Sequence, residues 1–116
     1  MLYYFLGDIM YLKIRYKKIE IKEYTKFIDR FKSFKFYLKK INFGIKLPKK
    51  KIANTYFFCQ KIDICFTDNN DKILYLYENV KSEKIIIKLK AKNIYFLPLG
   101  TCKYLNIGNK LNIINR

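Results

Sequence analysis

Histidine and tryptophan are absent from the 116 residues, arginine occurs only at 15, 30 and 116, and the four glycines are scattered at 7, 44, 100 and 108. Without histidine, no Ser-His-Asp or Cys-His nucleophile can be assembled, and the commonest general base and metal ligand are missing. Without clustered glycines there is no phosphate-cradling loop of the nucleotide-hydrolysing or dinucleotide-binding kind. The three cysteines, Cys59, Cys65 and Cys102, are odd in number and lack Cys-x-x-Cys spacing. Neither a disulfide framework nor a zinc centre is expected from them; they read as small apolar residues of a reducing compartment. Cys102 alone has a case for reactivity, because a short helix opened by Pro98 would place it in a first turn, where the helix dipole lowers a thiol pKa.

No apolar run approaches the ~20 residues that span a bilayer. The stretch Leu2–Leu6 is stopped by Gly7-Asp8 and has no basic flank, so it does not read as a secretion signal. Residues 1–10 read as an amino-terminal extension or a misassigned start, with Met10 the alternative start and 11–116 one domain. A cytoplasmic protein without metal or cofactor is the expectation.

What is abundant is lysine. Lys and Arg number 25 against 9 Asp and Glu, a formal charge of +16, in a chain that is 51% hydrophobic and 18% aromatic. That apolar content supports a packed core. The charge has two readings. Lysine accompanied by Ile, Asn, Tyr and Phe is what A/T-rich codons produce, and it then carries no function. Alternatively it marks an acidic partner such as nucleic acid, anionic lipid or an acidic protein. The scarcity of arginine weighs against forked phosphate contacts.

Alternation of apolar and polar residues over 11–16 and 19–22 predicts half-buried strands. The period then lengthens: Tyr24, Phe27, Phe31, Phe34 and Leu38 recur every three or four residues, which predicts an amphipathic helix over 25–38 with Thr25 near its cap. Residues 39–53 read as irregular, punctuated by Gly44, Pro48 and Lys49-Lys50-Lys51. Strands are expected at about 54–59, 62–67, 72–78, 84–89 and 92–97. Asp68-Asn69-Asn70-Asp71 is expected to turn a hairpin. Ile73–Tyr77, apolar throughout, reads as a strand buried on both faces. A helical turn from Pro98 to about Leu105 and a last strand at 110–114 complete the chain. The fold class is therefore α+β, mainly β: a compact barrel-like sheet of seven or eight strands with one principal amphipathic helix and a short carboxy-terminal helical turn.

The segment from Ala53 to Asp68, Ala-Asn-Thr-Tyr-Phe-Phe-Cys-Gln-Lys-Ile-Asp-Ile-Cys-Phe-Thr-Asp, resembles the central block of the domain-of-unknown-function 192 family. That block reads Ile-His-Thr, two aromatics, Met, a spacer, then Ile-Asp and an apolar strand ending in Asp. Three further segments agree in order and spacing: Arg30–Phe34, Tyr77–Val80, and Leu97–Thr101 with Ile107-Gly108-Asn109. The resemblance spans roughly 11–114 and implies a compact α+β domain on a barrel-like sheet, with no established activity. This sequence departs from the family where the pattern is most suggestive chemically. The family's His is Asn54, its Met is Phe58, its helix Gly is Ser33, the acidic residue before Leu-Pro is Phe96 and the final Asp is Asn109; its Thr and its Ile-Asp acid are kept as Thr55 and Asp63.

Two constellations follow. Asn54, Thr55 and Asp63 form a candidate polar pocket, either a hydrogen-bond network joining two strands or a small ligand site. Lys46, Lys49, Lys50 and Lys51 form a candidate anion-binding loop, to which the basic face of the 25–38 helix would add. No catalytic residue and no metal ligand is assigned. The expected function is a non-enzymatic binding or structural module whose partner, a protein or an acidic polymer, is left open, with an RNA- or DNA-binding protein using the lysine loop and the helix face as the alternative; aromatics beside a basic groove would suit single strands only if exposed.

Overall fold

In a computed structural model the structure describes residues 10–15, 17–24 and 34–115. They form nine strands: β1 (Met10–Ile14), β2 (Lys17–Glu23), β3 (Gly44–Pro48), β4 (Ile52–Asn54), β5 (Ile62–Thr67), β6 (Ile73–Val80), β7 (Ile85–Ile87), β8 (Asn93–Leu97) and β9 (Ile113–Asn115). Seven of them make one sheet in the order β6-β5-β8-β3-β2-β1-β9, while β4 and β7 pair separately as a two-stranded ribbon. The β2–β3 pair is parallel and the others are antiparallel.

The expected α+β architecture is not what forms. Among the described residues there is no α-helix; the helical content is a 3₁₀ turn at Cys102–Tyr104. Residues 25–33 of the expected helix lie outside the described residues, and its remainder, 34–38, is not helical. Lys35 instead bridges Phe58 in antiparallel fashion. Phe36 adopts φ 60°, a left-handed conformation through which a right-handed helix cannot continue. The sheet is also not a closed barrel: among the described residues β6 and β9 stand at its two ends and do not pair with each other. The chain from Gly108 to Asn112 spans that gap by an isolated Lys72–Lys110 bridge and a few hydrogen bonds: Gly108 N–H to Ile73 O at 2.8 Å, Ile73 N–H to Asn109 O at 2.8 Å, Leu111 N–H to Asp71 O at 2.9 Å, and Lys13 N–H to Asn112 O at 2.9 Å.

Both faces of the central strands are buried, and the two-residue period divides them. Ile62, Ile64 and Phe66 of β5, with Ile94 and Phe96 of β8, face a cluster closed by Phe34, Phe58 and Ala53. Cys65, Tyr95 and Leu97 face the opposite cluster, with Leu12, Ile19 and Ile21. Asp63 and Thr67 alternate with Cys65, so that second face carries two buried polar side chains. Among the described residues the Thr67 hydroxyl has no hydrogen-bond partner.

β3 was concealed by its own punctuation. Gly44 is required there because a Cβ would lie 2.7 Å from Ile21 Cδ1 and 3.1 Å from the Phe96 carbonyl, so glycine permits the close β2–β3–β8 approach. Pro48, which cannot donate, ends the strand. β6 also departs from expectation: it is a sheet edge with half-buried Tyr75 and Tyr77, whereas the strands buried at every residue are β5 and β8.

Candidate functional site

Asp63 is fully buried. Its Oδ1 accepts the Asn79 N–H at 3.1 Å, and its Oδ2 accepts those of Gly100 at 3.0 Å and Cys102 at 2.8 Å. Gly100 at φ 91° followed by Thr101 in the right-handed region turns the amides of 100 and 102 to one side, a backbone concavity suited to an anion. The carboxylate fills it from within the chain. Charge-assisted bonds of this kind are about twice as strong as neutral ones, and here they clamp β6 and the 98–102 turn onto β5.

Thr55 is also buried but faces other partners. Its hydroxyl donates to Lys81 O at 2.8 Å and accepts the Lys84 N–H at 2.9 Å, so it holds the β6–β7 loop. Asn54 is exposed, and its Oδ1 accepts the Tyr56 N–H at 2.8 Å. The three residues of the expected pocket therefore point into three local networks that share no hydrogen-bonding partner.

Cys102 departs from its sequence reading. Its thiol is buried and donates to Ile64 O at 3.7 Å, and burial followed by the Asp63 charge pushes its pKa up, away from the thiolate. Burial, then Asp71, pushes Cys65 up to about 12. Cys59 is exposed.

The lysine loop divides as well. Lys51 Nζ donates to Leu89 O at 2.9 Å and Ala91 O at 2.7 Å, so it serves as a strut. Lys46 Nζ lies 5.8 Å from the Tyr95 ring centroid. Lys49 is exposed at φ 58°, the tip of the turn between β3 and β4, and Lys50 is beside it. Burial, then the charge of Lys50, lowers the pKa of Lys35, which places the two ammonium groups within each other's field.

Next to Lys35 lies a cluster of exposed aromatics. Phe36 is 69% exposed and Phe57 59%, and their rings stack at 5.3 Å between centroids with an interplanar angle of 26°. Tyr56 is 40% exposed and meets Phe57 edge-on at 6.5 Å. Lys35 Nζ is 5.6 Å from the Phe57 centroid and donates to Tyr56 O at 3.0 Å. One signal was available in the sequence: Tyr56-Phe57-Phe58 is a run of three aromatics, and an extended chain sends neighbours to opposite sides, so unless both sides are covered at least one faces outward. Elsewhere the β4–β7 ribbon exposes Ile52, Ile85 and Ile87 on its outer face, with Leu89 just beyond.

An open seven-stranded sheet with a two-stranded ribbon and an internally satisfied buried carboxylate defines the class of this domain. No family model matches the sequence, and no curated protein matches it. Among solved structures the fold is similar to a candidate transcription regulator from Sinorhizobium meliloti 1021, with TM-score 0.73 and 14% identity over 93% of this chain and 92% of that one. It is similar also to a protein of unknown function from Novosphingobium aromaticivorans DSM 12444, with TM-score 0.68 and 11% identity over 91% of this chain and 83% of that one. At such identities the likeness is one of fold.

Proposed function

We propose that this chain is a diverged relative of the domain-of-unknown-function 192 family, acting as a non-enzymatic cytoplasmic binding module for an acidic polymer. The family reading is supported by where the quoted segments lie: Asp63, the Tyr77–Val80 segment through Asn79, and the Leu97–Thr101 segment through Gly100 meet at one carboxylate. Segments far apart in sequence that serve one structural joint are what a shared fold would preserve. A binding rather than catalytic role is supported by the engagement of the polar groups. Asp63 and Thr55 hold backbone, and the Cys102 thiol is shielded.

The acidic-polymer reading rests on one observation. Residues 34–62 contain eight lysines and no Asp or Glu, and the fold turns that segment back on itself, bridging Lys35 to Phe58 and stacking Phe36 on Phe57. An anionic chain passing there meets several cations and no opposing carboxylate from this segment. Association would then be driven by counterion release.

The test is fluorescence anisotropy with labelled heparin and labelled DNA across a salt series. The double variant Lys49→Glu, Lys50→Glu is expected to weaken binding at least tenfold and to make the salt slope shallower by about two. The variant Lys13→Glu, Lys17→Glu, with the same net charge but on the β1–β2 hairpin, is expected to change it far less. Equal weakening by both would reduce the charge to a delocalised property of the surface, and no binding by the parent chain near physiological salt would end the reading.

A further inference from the structure

Phe36 and Phe57 are large apolar side chains that gain little from burial where they stand. Both also occupy a backbone conformation that L residues rarely adopt, at φ 60° and 68°. The pair is nonetheless mounted rigidly. Phe36 N–H donates to Phe57 O at 2.9 Å, and Lys35 bridges Phe58. Phe34 and Phe58, the neighbours of the exposed pair, point the other way and pack edge to face at 6.0 Å in the core. Gln60 donates to the carbonyls of Tyr37 and Lys39, tying the two segments together further along. Backbone strain and solvent-exposed stacking are thus held in place by the core beneath.

We infer that Phe36 and Phe57, flanked by Tyr56, form a stacking platform for the bases of single-stranded nucleic acid, with surrounding lysines taking its phosphates. This deepens the acidic-polymer reading and rests on it. The two rings are already stacked on one another, so a base adding to an outer face extends an existing stack without reorganising the protein. Exposed Lys39, Lys40 and Lys61 lie on the two segments that Gln60 ties together, and Lys35 Nζ stands 5.6 Å from the Phe57 centroid. No carboxylate is carried by residues 34–62 themselves; exposed Glu83 meets the segment at Thr55, whose carbonyl accepts its N–H at 3.2 Å. A duplex would offer phosphates to the lysines but keep its base faces hidden from the rings. Lysine in place of arginine suits this role, since phosphate neutralisation needs no fork and stacking is tolerant of sequence.

The exposed left-handed positions supply clean variants. Glycine adopts positive φ readily, so Phe36→Gly and Phe57→Gly remove the rings while easing the backbone. Anisotropy would be measured with labelled oligouridine, a labelled DNA duplex, labelled heparin and vesicles containing phosphatidylserine, with thermal unfolding as the check on folding. The parent chain is expected to prefer oligouridine to the duplex. Each variant should unfold no lower than the parent yet bind oligouridine about tenfold or more weakly with an unchanged salt slope, because a ring and not a cation has been lost. If parent and variants bind every polyanion alike, the platform is refuted while the acidic-polymer reading stands. Failure of the parent to bind heparin, duplex and oligouridine refutes both. Variants that lose vesicle binding but keep oligouridine binding would assign the rings to a membrane surface and overturn the inference.

Discussion

Asp63 is a buried anion whose three hydrogen-bond donors are all backbone amides. Backbone donors cannot swing away, so the arrangement depends on the side chain accepting at both oxygens. Asp63→Asn preserves the shape but replaces one acceptor with an NH₂ group, which must then face an amide N–H. The loss of charge-assisted bonds and the new donor–donor conflict should cost about 2–4 kcal/mol of unfolding free energy. Urea denaturation of parent and variant measures it, and a difference below about 0.5 kcal/mol would mean that the clamp contributes little. Polyanion affinity of the folded variant should be unchanged, since neither the lysines nor the aromatic pair touches this joint. That Asp63 mattered was legible from its place between Ile62 and Ile64. Its partners were not, because Gly100 and Cys102 lie more than thirty residues away and contribute only amides, which any residue except proline carries.

Elements were legible where local pattern and tertiary placement agree. β5 falls at 62–67, where the Asp68–Asp71 turn bounds it, and Asp68 closes that turn by accepting the N–H groups of Asn70 and Lys72. Agreement fails at β6 and β3 for opposite reasons. The apolar run of β6 implied a central strand, yet centrality is decided by pairing, and the run of Ile, Leu and Tyr lies at an edge where Lys88 covers Tyr75 at 4.8 Å. β3 implied a loop because Gly44 and Pro48 bound it, yet it is the strand that joins the β1–β2 hairpin to β8. Its parallel pairing with β2 depends on Gly44. Gly44→Ala introduces a methyl 2.7 Å from Ile21 Cδ1 and 3.0 Å from Leu97 Cδ2, both in buried side chains, with the Phe96 carbonyl limiting retreat on the third side. Thermal and urea unfolding should show a loss of about 1–3 kcal/mol from overpacking. An unchanged midpoint would mean that β2 and β3 can separate freely. The exposed Phe36–Phe57 pair was only partly legible for a related reason: the Tyr56-Phe57-Phe58 run hinted at an outward ring, but side-chain exposure depends on what the rest of the fold leaves uncovered.

At the scale of the whole molecule, the chain carries 25 cations and 9 anions, and its folded body has extents of 32 × 31 × 27 Å. The screening length is about 30 Å at 0.01 M salt and about 8 Å at 0.15 M. At low salt every lysine therefore repels every other across the whole protein, while near physiological salt only close neighbours such as Lys35 and Lys50 interact. Folding concentrates this charge, so self-repulsion should lower the stability of the native state at low salt. The melting temperature is expected to rise as sodium chloride increases from 0.01 to 0.15 M, both values being the two screening regimes just given. Heparin added at 0.01 M salt should raise it further by mass action, at concentrations too small to alter the ionic strength. A flat or falling melting temperature across the salt series would show that attractive pairs offset the excess charge, and the drive toward an acidic partner would then be weaker than composition implies. If salt stabilises but heparin does not, the charge is diffuse repulsion with no binding surface. If both stabilise, and the Lys49→Glu, Lys50→Glu chain loses the heparin effect while keeping the salt effect, the excess charge of the molecule and the lysines of one segment have been separated into repulsion and recognition.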